Sequence, residues 1–430
     1  MIPGSCLPHA LWQGQAGSAW CIWMLINPMA SNVLAQIYVF NRTKVALSWR
    51  SNADINREMS MNKVSGTAGF MAMKGDGYYS KATIGAKHVM DKAASLVLDA
   101  VARMDPADDG SIFRATDMGA ADGGTSVDLW RRVFRDVRAR VPSRPIEMIY
   151  TDLPRNDFAQ VFRMIHGQTD INSYYPEIDD LYVFASGTSF HQNIFPAQTL
   201  DLGFSATASH YISATPCNIS DHVHMVGASG AERAAFTRQG AADWETMLLQ
   251  RTRELKSGGR LCLFNFGIDE EGRYLGNTGG VSMFDMFNKF WRDLADDGVI
   301  TQAEYLNTNF PQHYRTVEEF TAPLNDKTSP VYKAGLRLEQ VETRLVRCPF
   351  EQDFTENHRD AARFAVEYLP TLRSWSEATF LGGLDAGRDE AGREAIMNEF
   401  YGRYQASVAA APEGHAMDYV HAYLVCRKEA

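Results

Sequence analysis

The stretch DMGAADGG at residues 117–124 joins one acidic side chain to residues that have almost no side chains. Small residues between a strand and a helix allow backbone N–H groups to approach a ligand closely. A second acid, Asp152, ends a later apolar stretch, where a carboxylate could accept hydrogen bonds from a ribose diol. Asp117 and Asp152 together suit a cationic, ribose-bearing cofactor without phosphates, and S-adenosylmethionine has that chemistry. A tight turn packed on a sheet is the alternative interpretation of the loop.

Strand-like and helix-like segments alternate around these two acids. The helix predicted over residues 125–140 carries Val127, Trp130, Phe134 and Val137 on one face. A second helix is predicted over 243–259, with the glycine pair as its stop. This alternation is typical of a mostly parallel, doubly wound sheet. The predicted strands are 111–116, 146–152, 181–186, 199–205 and 260–267.

The pattern changes after residue 275, where amphipathic helical segments follow one another until a final strand-like run, YVHAYLVCRK. Residues 1–60 show no clear period, and we expect a leader outside the core, with Met59 or Met61 as an alternative start. The predicted organisation is a leader (1–60), a cofactor-binding α/β domain (61–275), a mainly helical cap (276–412) and a closing strand of the sheet (413–430).

Composition and charge narrow the class of protein. The formal net charge of -10 argues against broad contact with nucleic acid or an anionic membrane surface. The apolar run at 17–34 is broken by Asn27 and Pro28 and is short for a membrane span. Six scattered cysteines lack C-x-x-C spacing, which favours reduced thiols and a cytoplasmic location. We therefore expect no nucleic-acid or membrane partner.

Several blocks resemble, in order, those of the SABATH family of plant and microbial carboxyl and N-methyltransferases. MKGDGYYSKATIGAKHV at 73–89 is similar to the opening M-x-G-G-x-G-x-x-S-Y block, and DMGAADGGTS at 117–126 to D-L-G-x-x-x-G-x-N-T. TDLPRNDF at 151–158 nearly reproduces D-L-P-x-N-D-F, the most specific match. GTSFHQNIFP, FSATASHYIS and FPQHYRT resemble three later blocks, so the similarity covers most of the chain.

The resemblance implies an α/β fold, with the Rossmann-like sheet of class I methyltransferases and an inserted helical cap over the acceptor. It implies S-adenosylmethionine as the cofactor, with Asp117 holding the methionine moiety. By position, the cofactor contacts fall on Tyr79, Ser80, Asp117, Gly119, Asp152, Leu153, Ser189 and Phe190. The acceptor contacts fall on His88, Gln192, Thr207, His210 and Tyr211, with His210 expected to be the catalytic residue.

The chain departs from the family pattern more in the acceptor half than in the cofactor half. His88 stands where the family has Gln, Thr207 where it has Tyr, and Tyr211 where it has Trp. In the first block, Gly85 replaces a Ser that contacts the cofactor. The smaller Thr207 suggests an acceptor that is bulkier than a single benzoate ring or differently placed.

The function expected from these residues is transfer of a methyl group to a small carboxylic acid, aromatic or otherwise apolar, giving a methyl ester. Three alternatives stay open. They are an N-methyltransferase of the same family, a catalytically silent binding protein on this scaffold, and a nicotinamide-dependent oxidoreductase. The missing G-x-G-x-x-G counts against the last. A homodimer is compatible with each of them.

Other candidate sites are weaker. His222 and His224 in DHVHM could ligate a metal, but no third ligand has a recognisable spacing, so we predict no metal site. Cys217 has no marked partner for nucleophilic chemistry. The Phe and Met stripe at 283–294 favours a packed core over a pocket.

Overall fold

The computed structural model describes the backbone of residues 22–25 and 36–39, and residues 84–105 and 110–430. The chain divides into two compact units, Met1–Ser65 and Gly66–Ala430. In the first unit, β1 (Ile22–Leu25) and β2 (Gln36–Val39) pair in antiparallel fashion, with Ile22 opposite Val39. The predicted leader, residues 1–60, falls in this unit. Apart from β1 and β2, its residues lie outside the described part of the chain.

The second unit is built on an eight-stranded sheet, in the order β5-β4-β3-β6-β7-β10-β9, with β8 paired to β7. Strands β3 to β7 are mutually parallel, and β10 runs antiparallel between β7 and β9. The predicted doubly wound α/β sheet is confirmed. The strands are β3 (Phe113–Met118), β4 (Ile146–Asp152), β5 (Leu181–Gly187), β6 (Leu200–Ala206), β7 (Leu255–Ile268), β8 (Arg315–Thr316), β9 (Leu336–Val346) and β10 (Tyr419–Lys428).

The sheet order reverses at β3. The chain proceeds from β3 through β4 to β5 on one side, and then returns to β6 and β7 on the other. At such a switch point the loops after adjacent strands diverge and leave a crevice at the carboxyl ends of the strands. The crevice expected here lies after β3 and β6.

Helices cover the sheet and continue into the later part of the unit. The predicted stripe of α2 is correct, since Val127, Trp130, Phe134 and Val137 are all buried. The helices are α1 (Ile84–Ala102), α2 (Val127–Arg140), α3 (Phe158–Ile165), α4 (Gly230–Glu254), α5 (Met283–Asp296), α6 (Gln302–Asn307), α7 (Val317–Asn325), α8 (Pro330–Lys333), α9 (Pro349–Asp353), α10 (Ala361–Gly383) and α11 (Glu390–Ala410).

The segment 276–412, predicted as a mainly helical cap, also returns to the sheet as β9 before its last two helices. Its α5 stripe is core: Phe287 is fully buried, with ring centroids 6.0 Å from Phe310 and 5.4 Å from Phe380. The strand predicted at 419–428 is β10, and it lies inside the sheet between two neighbours.

The helix predicted over 243–259 is wrong at both ends. It begins at Gly230 and ends at Glu254. Leu255 is already extended and pairs with Leu200, while Leu202 pairs with Arg260. The intervening residues form a bulge in β7 that contains Gly258 at φ +80°. Gly258 and Gly259 therefore lie in a strand bulge and do not end a helix.

Candidate active site

The loop between β3 and α2 contains three residues in the left-handed region, Gly119 (φ 79°), Ala121 (φ 50°) and Gly123 (φ 76°). Close packing explains the small side chains. A Cβ on Gly119 would lie 2.5 Å from the Cβ of Ala208, and one on Gly123 would lie 2.8 Å from Met164 Cε. The loop therefore packs closely against the segment that follows β6 and against α3, so larger side chains at Gly119 and Gly123 would not fit.

The backbone N–H groups of this loop are engaged within the protein, contrary to the expectation that they face a ligand. Those of Gly119 and Ala120 donate to the carbonyl of Thr151, at 2.8 and 3.1 Å. A pyrophosphate cradle needs free N–H donors at this position. The remaining bonds are Ala121 N–H to Asp152 Oδ2, Gly123 N–H to the Ala120 carbonyl, and Gly124 N–H to Asp122 Oδ1. These residues fit a cofactor that requires no phosphate cradle.

Asp117 is the buried acid at the end of β3. Its Oδ2 accepts hydrogen bonds from Ser126 Oγ at 2.6 Å and from Trp130 Nε1 at 3.1 Å. Burial nevertheless raises the pKa of Asp117 to about 6, and the charge of Asp152 adds to this. The side chain lines a small cavity of about 10 Å³ together with residues of the loop and of the segment after β6. A cation in this cavity would stabilise the ionised carboxylate.

Asp152 lies across the loop at the end of β4. Its Oδ2 accepts from Ala121 N–H at 2.8 Å, and its Oδ1 accepts from Leu153 N–H at 2.7 Å. Burial raises the pKa of Asp152, and these two bonds oppose the increase. Asn156 completes the clamp, because its Nδ2 donates to the carbonyl of Ala121 at 2.8 Å. The TDLPRND block thus holds the glycine-rich loop in place in addition to presenting an acid.

The loop after β5 contains the predicted adenine neighbours Ser189 and Phe190, and a buried ion pair holds it. Arg251 on α4 donates to the carbonyls of Phe190 and Gln192, both at 2.8 Å. Its partner Glu254 accepts from the N–H groups of Ile194 and Phe195, at 2.6 and 3.1 Å. Both members of the pair are fully buried. Sequence reasoning missed them, because nothing in QRTRELK separates Arg251 from the exposed Arg253.

A second cavity, of about 30 Å³, lies beside the first and is mostly aromatic. It brings together three of the predicted acceptor residues, Thr207, His210 and Tyr211. The side chain of Gln192 is exposed and does not join them, and the half-buried His88 does not line either cavity. The sequence did not identify the other lining residues, which are Phe266, Leu275, Gln312, Tyr314, Trp375, Met417 and Tyr419.

His210 is a buried, neutral histidine. Its ring centroid lies 4.4 Å from that of Tyr211 and 5.0 Å from that of Phe266. Its carbonyl accepts from His313 N–H at 2.8 Å, and its Nδ1 has no partner among the described residues. Burial holds the pKa of His210 well below its usual range, and the nearby His421 and Arg315 lower it further. The ring can therefore donate or accept a hydrogen bond without carrying charge at neutral pH.

Tyr211 and Gln312 form one wall of this cavity. Burial raises the pKa of Tyr211 to about 12, and a hydrogen bond with Gln312 partly opposes the increase. Gln312 Oε1 also lies 3.2 Å from His224 Nε2. His224 is fully buried, with its ring stacked 3.8 Å from that of Phe284. His224 of DHVHM thus supports the cavity wall from behind.

Metal ligation finds little support in residues 84–105 and 110–430. Asp353, His358 and Glu367 are the group whose ligand atoms lie within 4.8 Å of one another. Arg363 already pairs with both carboxylates, at 3.2 and 2.9 Å. A cation there would compete with the guanidinium, and none of the three residues lines either cavity.

Thr207 connects the two cavities, since it lines both. It follows β6 at φ 56°, a left-handed conformation that is rare for a β-branched residue. Its N–H donates to the carbonyl of Phe264 at 2.8 Å and fixes that conformation. Strain of this kind costs about 1–3 kcal/mol and is typical of functional sites. Tyr79 and Ser80 lie outside the described residues.

Comparison with known proteins identifies the family. The family described as SAM dependent carboxyl methyltransferase matches residues 68–429. The chain belongs to this family. The resemblance drawn from the six blocks is confirmed, and S-adenosylmethionine is the cofactor that this membership assigns. The nicotinamide-dependent oxidoreductase is thereby set aside.

Individual relatives are distant. The chain is 25% identical over 253 residues to indole-3-acetate O-methyltransferase 1 of Arabidopsis thaliana, covering 52% of this chain and 64% of that protein. It is 24% identical to gibberellic acid methyltransferase 2 of the same plant, covering 50% and 59%. The matches thus span less than two thirds of these relatives. A solved loganic acid methyltransferase with SAH superposes with a TM-score of 0.66 at 20% identity, over 83% of this chain and 99% of that one.

Proposed function

We propose that the protein transfers the methyl group of S-adenosylmethionine to a carboxylate oxygen of a small, aromatic or otherwise apolar acid. The products are the methyl ester and S-adenosylhomocysteine. One observation carries the proposal: Thr207 lines both the cavity that contains Asp117 and the aromatic cavity that contains His210. A methyl donor in the first would therefore lie beside an acceptor in the second.

The first cavity has the chemistry that this cofactor needs. The backbone N–H groups of its loop are bonded within the protein, and Asp117, the acid in its lining, suits a ligand that is positively charged at the amino group and the sulfonium. When bound, S-adenosylmethionine supplies an electrophilic methyl group. Asp117 is proposed to hold the methionine amino group, Asp152 and Leu153 the ribose and adenine, and Ser189 and Phe190 the sides of the adenine. Gly119 provides the close backbone approach.

The second cavity suits a carboxylate that needs no activation. A carboxylic acid with a pKa of about 4 is already ionised at neutral pH, so no general base is required. The residues around it need only align one oxygen with the methyl group and exclude water. Such positioning contributes about 7–11 kcal/mol in well-oriented systems. His210 is proposed to donate to the carboxylate, and Tyr211 to pack against the acceptor.

The lining also limits the kind of acid. Among the described residues, it contains no Lys, Arg, Asp or Glu side chain, and five of its residues are Phe, Tyr or Trp. An additional charged group on the acceptor would lose hydration without a partner. The space of about 30 Å³ admits only about two water molecules, so a ring-sized acid requires lining side chains to shift. The segment 276–412 contributes two aromatic residues to this lining, the buried Tyr314 and the half-buried Trp375 on α10. The names of the relatives, which refer to indole-3-acetate, gibberellic acid and loganic acid, support this class of acceptor.

The test is an incubation of purified protein with methyl-labelled S-adenosylmethionine and a set of aromatic and alicyclic carboxylic acids. We expect a labelled product that mild alkali hydrolyses to labelled methanol, as a methyl ester requires. A base-stable product with label on nitrogen would establish the N-methyltransferase instead. Retention of S-adenosylmethionine without transfer to any acid or amine would favour the silent binding protein.

Location and assembly are part of the proposal. None of the described helices is long and apolar enough to cross a membrane. Cys217, Cys262, Cys348 and Cys426 are free thiols, which suits the reducing cytoplasm that we propose. We also propose a homodimer. Sedimentation equilibrium at micromolar concentration checks it, and the mass of a single 48.0 kDa chain would refute it.

A further inference from the structure

His421 is a polar residue in the buried, mainly apolar first part of β10. It is the third residue of this strand, opposite Phe266 of β7 on one side and Arg344 of β9 on the other. Its side chain is fully buried, and its ring lies 4.4 Å from that of Phe266 and 6.0 Å from that of Tyr419. Both aromatic neighbours line the aromatic cavity. The imidazole therefore stands directly behind the wall of the acceptor cavity.

Only one of the two ring nitrogens of His421 has a hydrogen-bond partner among the described residues. Its Nε2 lies 3.2 Å from Thr207 Oγ1, and its Nδ1 has no partner in the described part of the chain. Burial lowers the pKa of His421 to about 3, so the ring is neutral and carries one N–H. Buried N–H groups are left unpaired less often than buried acceptors. This favours the proton on Nε2, where the ring donates to the threonine hydroxyl.

Thr207 is held so that this bond can form. Its left-handed backbone is strained, yet its N–H to the Phe264 carbonyl fixes it between the two cavities. If His421 donates to Oγ1, the hydroxyl hydrogen of Thr207 is not needed for that bond. It can then donate to a group in the acceptor cavity, which Thr207 lines.

We propose that His421 is a positioning residue that acts through Thr207. By donating to Oγ1 it directs the threonine O–H to the acceptor carboxylate, at the oxygen that is not methylated. This inference rests on the proposed function, and it names the contact that fixes the acceptor. No proton is transferred in this arrangement, and both side chains keep their protonation state throughout.

The proposal predicts a particular kinetic signature. Negative charge on the carboxylate is greatest in the bound acid and decreases as the methyl group transfers. A hydrogen bond to the oxygen that is not methylated is therefore at least as strong in the ground state as in the transition state. Its loss should mainly raise the KM and Kd for the acid and change kcat less.

The test is a double-mutant cycle between His421→Phe and Thr207→Val. Phenylalanine keeps a ring between Phe266 and Tyr419, and valine keeps the branched shape of threonine. We expect each single variant to raise the Kd of the acid roughly 10-fold or more, measured by calorimetry on the S-adenosylhomocysteine complex. The double variant should equal Thr207→Val alone, because His421 then has no hydroxyl to orient. In His421→Phe, affinity for S-adenosylhomocysteine should stay within about 2-fold of wild type, because His421 does not line the cofactor cavity.

Two further variants complete the design. His421→Gln can present an N–H to Thr207 and should recover most of the acid affinity; it also replaces His421→Phe in the cycle if that protein does not fold. His415→Phe is the matched control, since His415 is buried with an unpartnered Nδ1 but does not line either cavity, and acid affinity should not change.

The outcomes separate this inference from the proposed function. Fold-changes that multiply in the double variant, or an unchanged Kd in His421→Phe, would overturn the role of His421. A wild-type protein that neither binds nor methylates any carboxylic acid would instead overturn the proposed function.

Discussion

The two cavities on either side of Thr207 are built in different ways. The cofactor cavity is lined by short contiguous pieces of chain, chiefly the loop after β3 and the segment after β6, and it contains the acid Asp117. The aromatic cavity is assembled from segments near residues 210, 270, 313, 375 and 418, and none of the described side chains in its lining is formally charged at neutral pH. One site is local and acidic, whereas the other is dispersed and neutral.

This difference follows from what each cavity is proposed to hold. The cofactor is the same throughout the family, so a fixed loop and fixed acids can serve every member. The acceptor must be kept dry and distinguished from other acids, which requires surfaces from several elements. Each of the following experiments perturbs the residues around one cavity or changes the pH, and measures the effect on stability or on binding.

The largest expected effect comes from the buried pair that holds the loop after β5. Arg251→Met leaves Glu254 as an uncompensated buried charge and removes donors from the Phe190 and Gln192 carbonyls. We expect a loss of about 3–5 kcal/mol in the free energy of unfolding, measured by urea denaturation. Any folded fraction should bind the cofactor more weakly.

The matched control for this change is Arg253→Met. Arg253 also bonds to the same loop, at Asn193 Oδ1, but it is exposed. Its loss should change stability by no more than about 0.5 kcal/mol. Equal effects of the two variants would show that the buried pair is not what holds the loop.

Lowering the pH should have opposite effects on the stability contributions of the buried histidines and of Asp117. Burial lowers the pKa of His313 and His421 to about 3. Between about pH 6.5 and pH 3 these two histidines are therefore protonated in the unfolded chain but neutral in the folded chain. Each histidine then removes about 2 kcal/mol of stability at pH 5. Burial raises the pKa of Asp117 to about 6, so the folded chain gains a proton first, which restores about 1.4 kcal/mol at pH 5.

The net prediction is a falling free energy of unfolding between pH 7 and pH 5, measured by urea denaturation. Asp117→Asn should make the fall steeper and His421→Phe should make it shallower. A profile that is flat or rises toward pH 5 would contradict the assignment of buried, neutral histidines.

The acid at the end of β3 should govern cofactor affinity. Asp117→Asn removes the charge that faces the cofactor while keeping a side chain of the same shape. We expect affinity for S-adenosylmethionine to fall by about 1.5–3 kcal/mol in calorimetry, the range for charge-assisted hydrogen bonds. Wild-type affinity should also weaken as the pH drops below about 6, and this dependence should vanish in the variant. Asp152→Ala should cost about 1–3 kcal/mol by the same measurement.

Much of the fold followed from local patterns. The stripe of Val127, Trp130, Phe134 and Val137 predicted α2 because its period matches a helix that packs on a sheet. The same reasoning failed at 255–259, where a register shift in β7 decides the structure. Pairing between Leu200 and Leu255 is a long-range contact, and no local pattern encodes it.

The site shows the same division. The Asp117 loop and the TDLPRND block were each recognisable because the residues of each block are contiguous in sequence. Trp375 and His421 were not, since they reach the acceptor side only through the packing of α10 and β10. The surroundings of Gln192 were equally hidden from sequence: Arg251 donates to its carbonyl, and its side chain is exposed.

The smallest effect, and the one that tests the neutral side directly, concerns His210. We expect His210→Ala to raise the KM for the acid about tenfold through a lost hydrogen bond and poorer alignment. Cofactor affinity should change by less than twofold, because His210 lines only the aromatic cavity. Burial keeps the pKa of His210 well below 6.5, so the KM for a fully ionised acid should not follow a histidine titration between pH 5.5 and 8. In the same range, the cofactor affinity of the wild type should weaken as Asp117 takes up a proton near pH 6. Parallel pH profiles for acid and cofactor would mean that one titrating group serves both cavities, and the separation into an acidic and a neutral side would then be wrong.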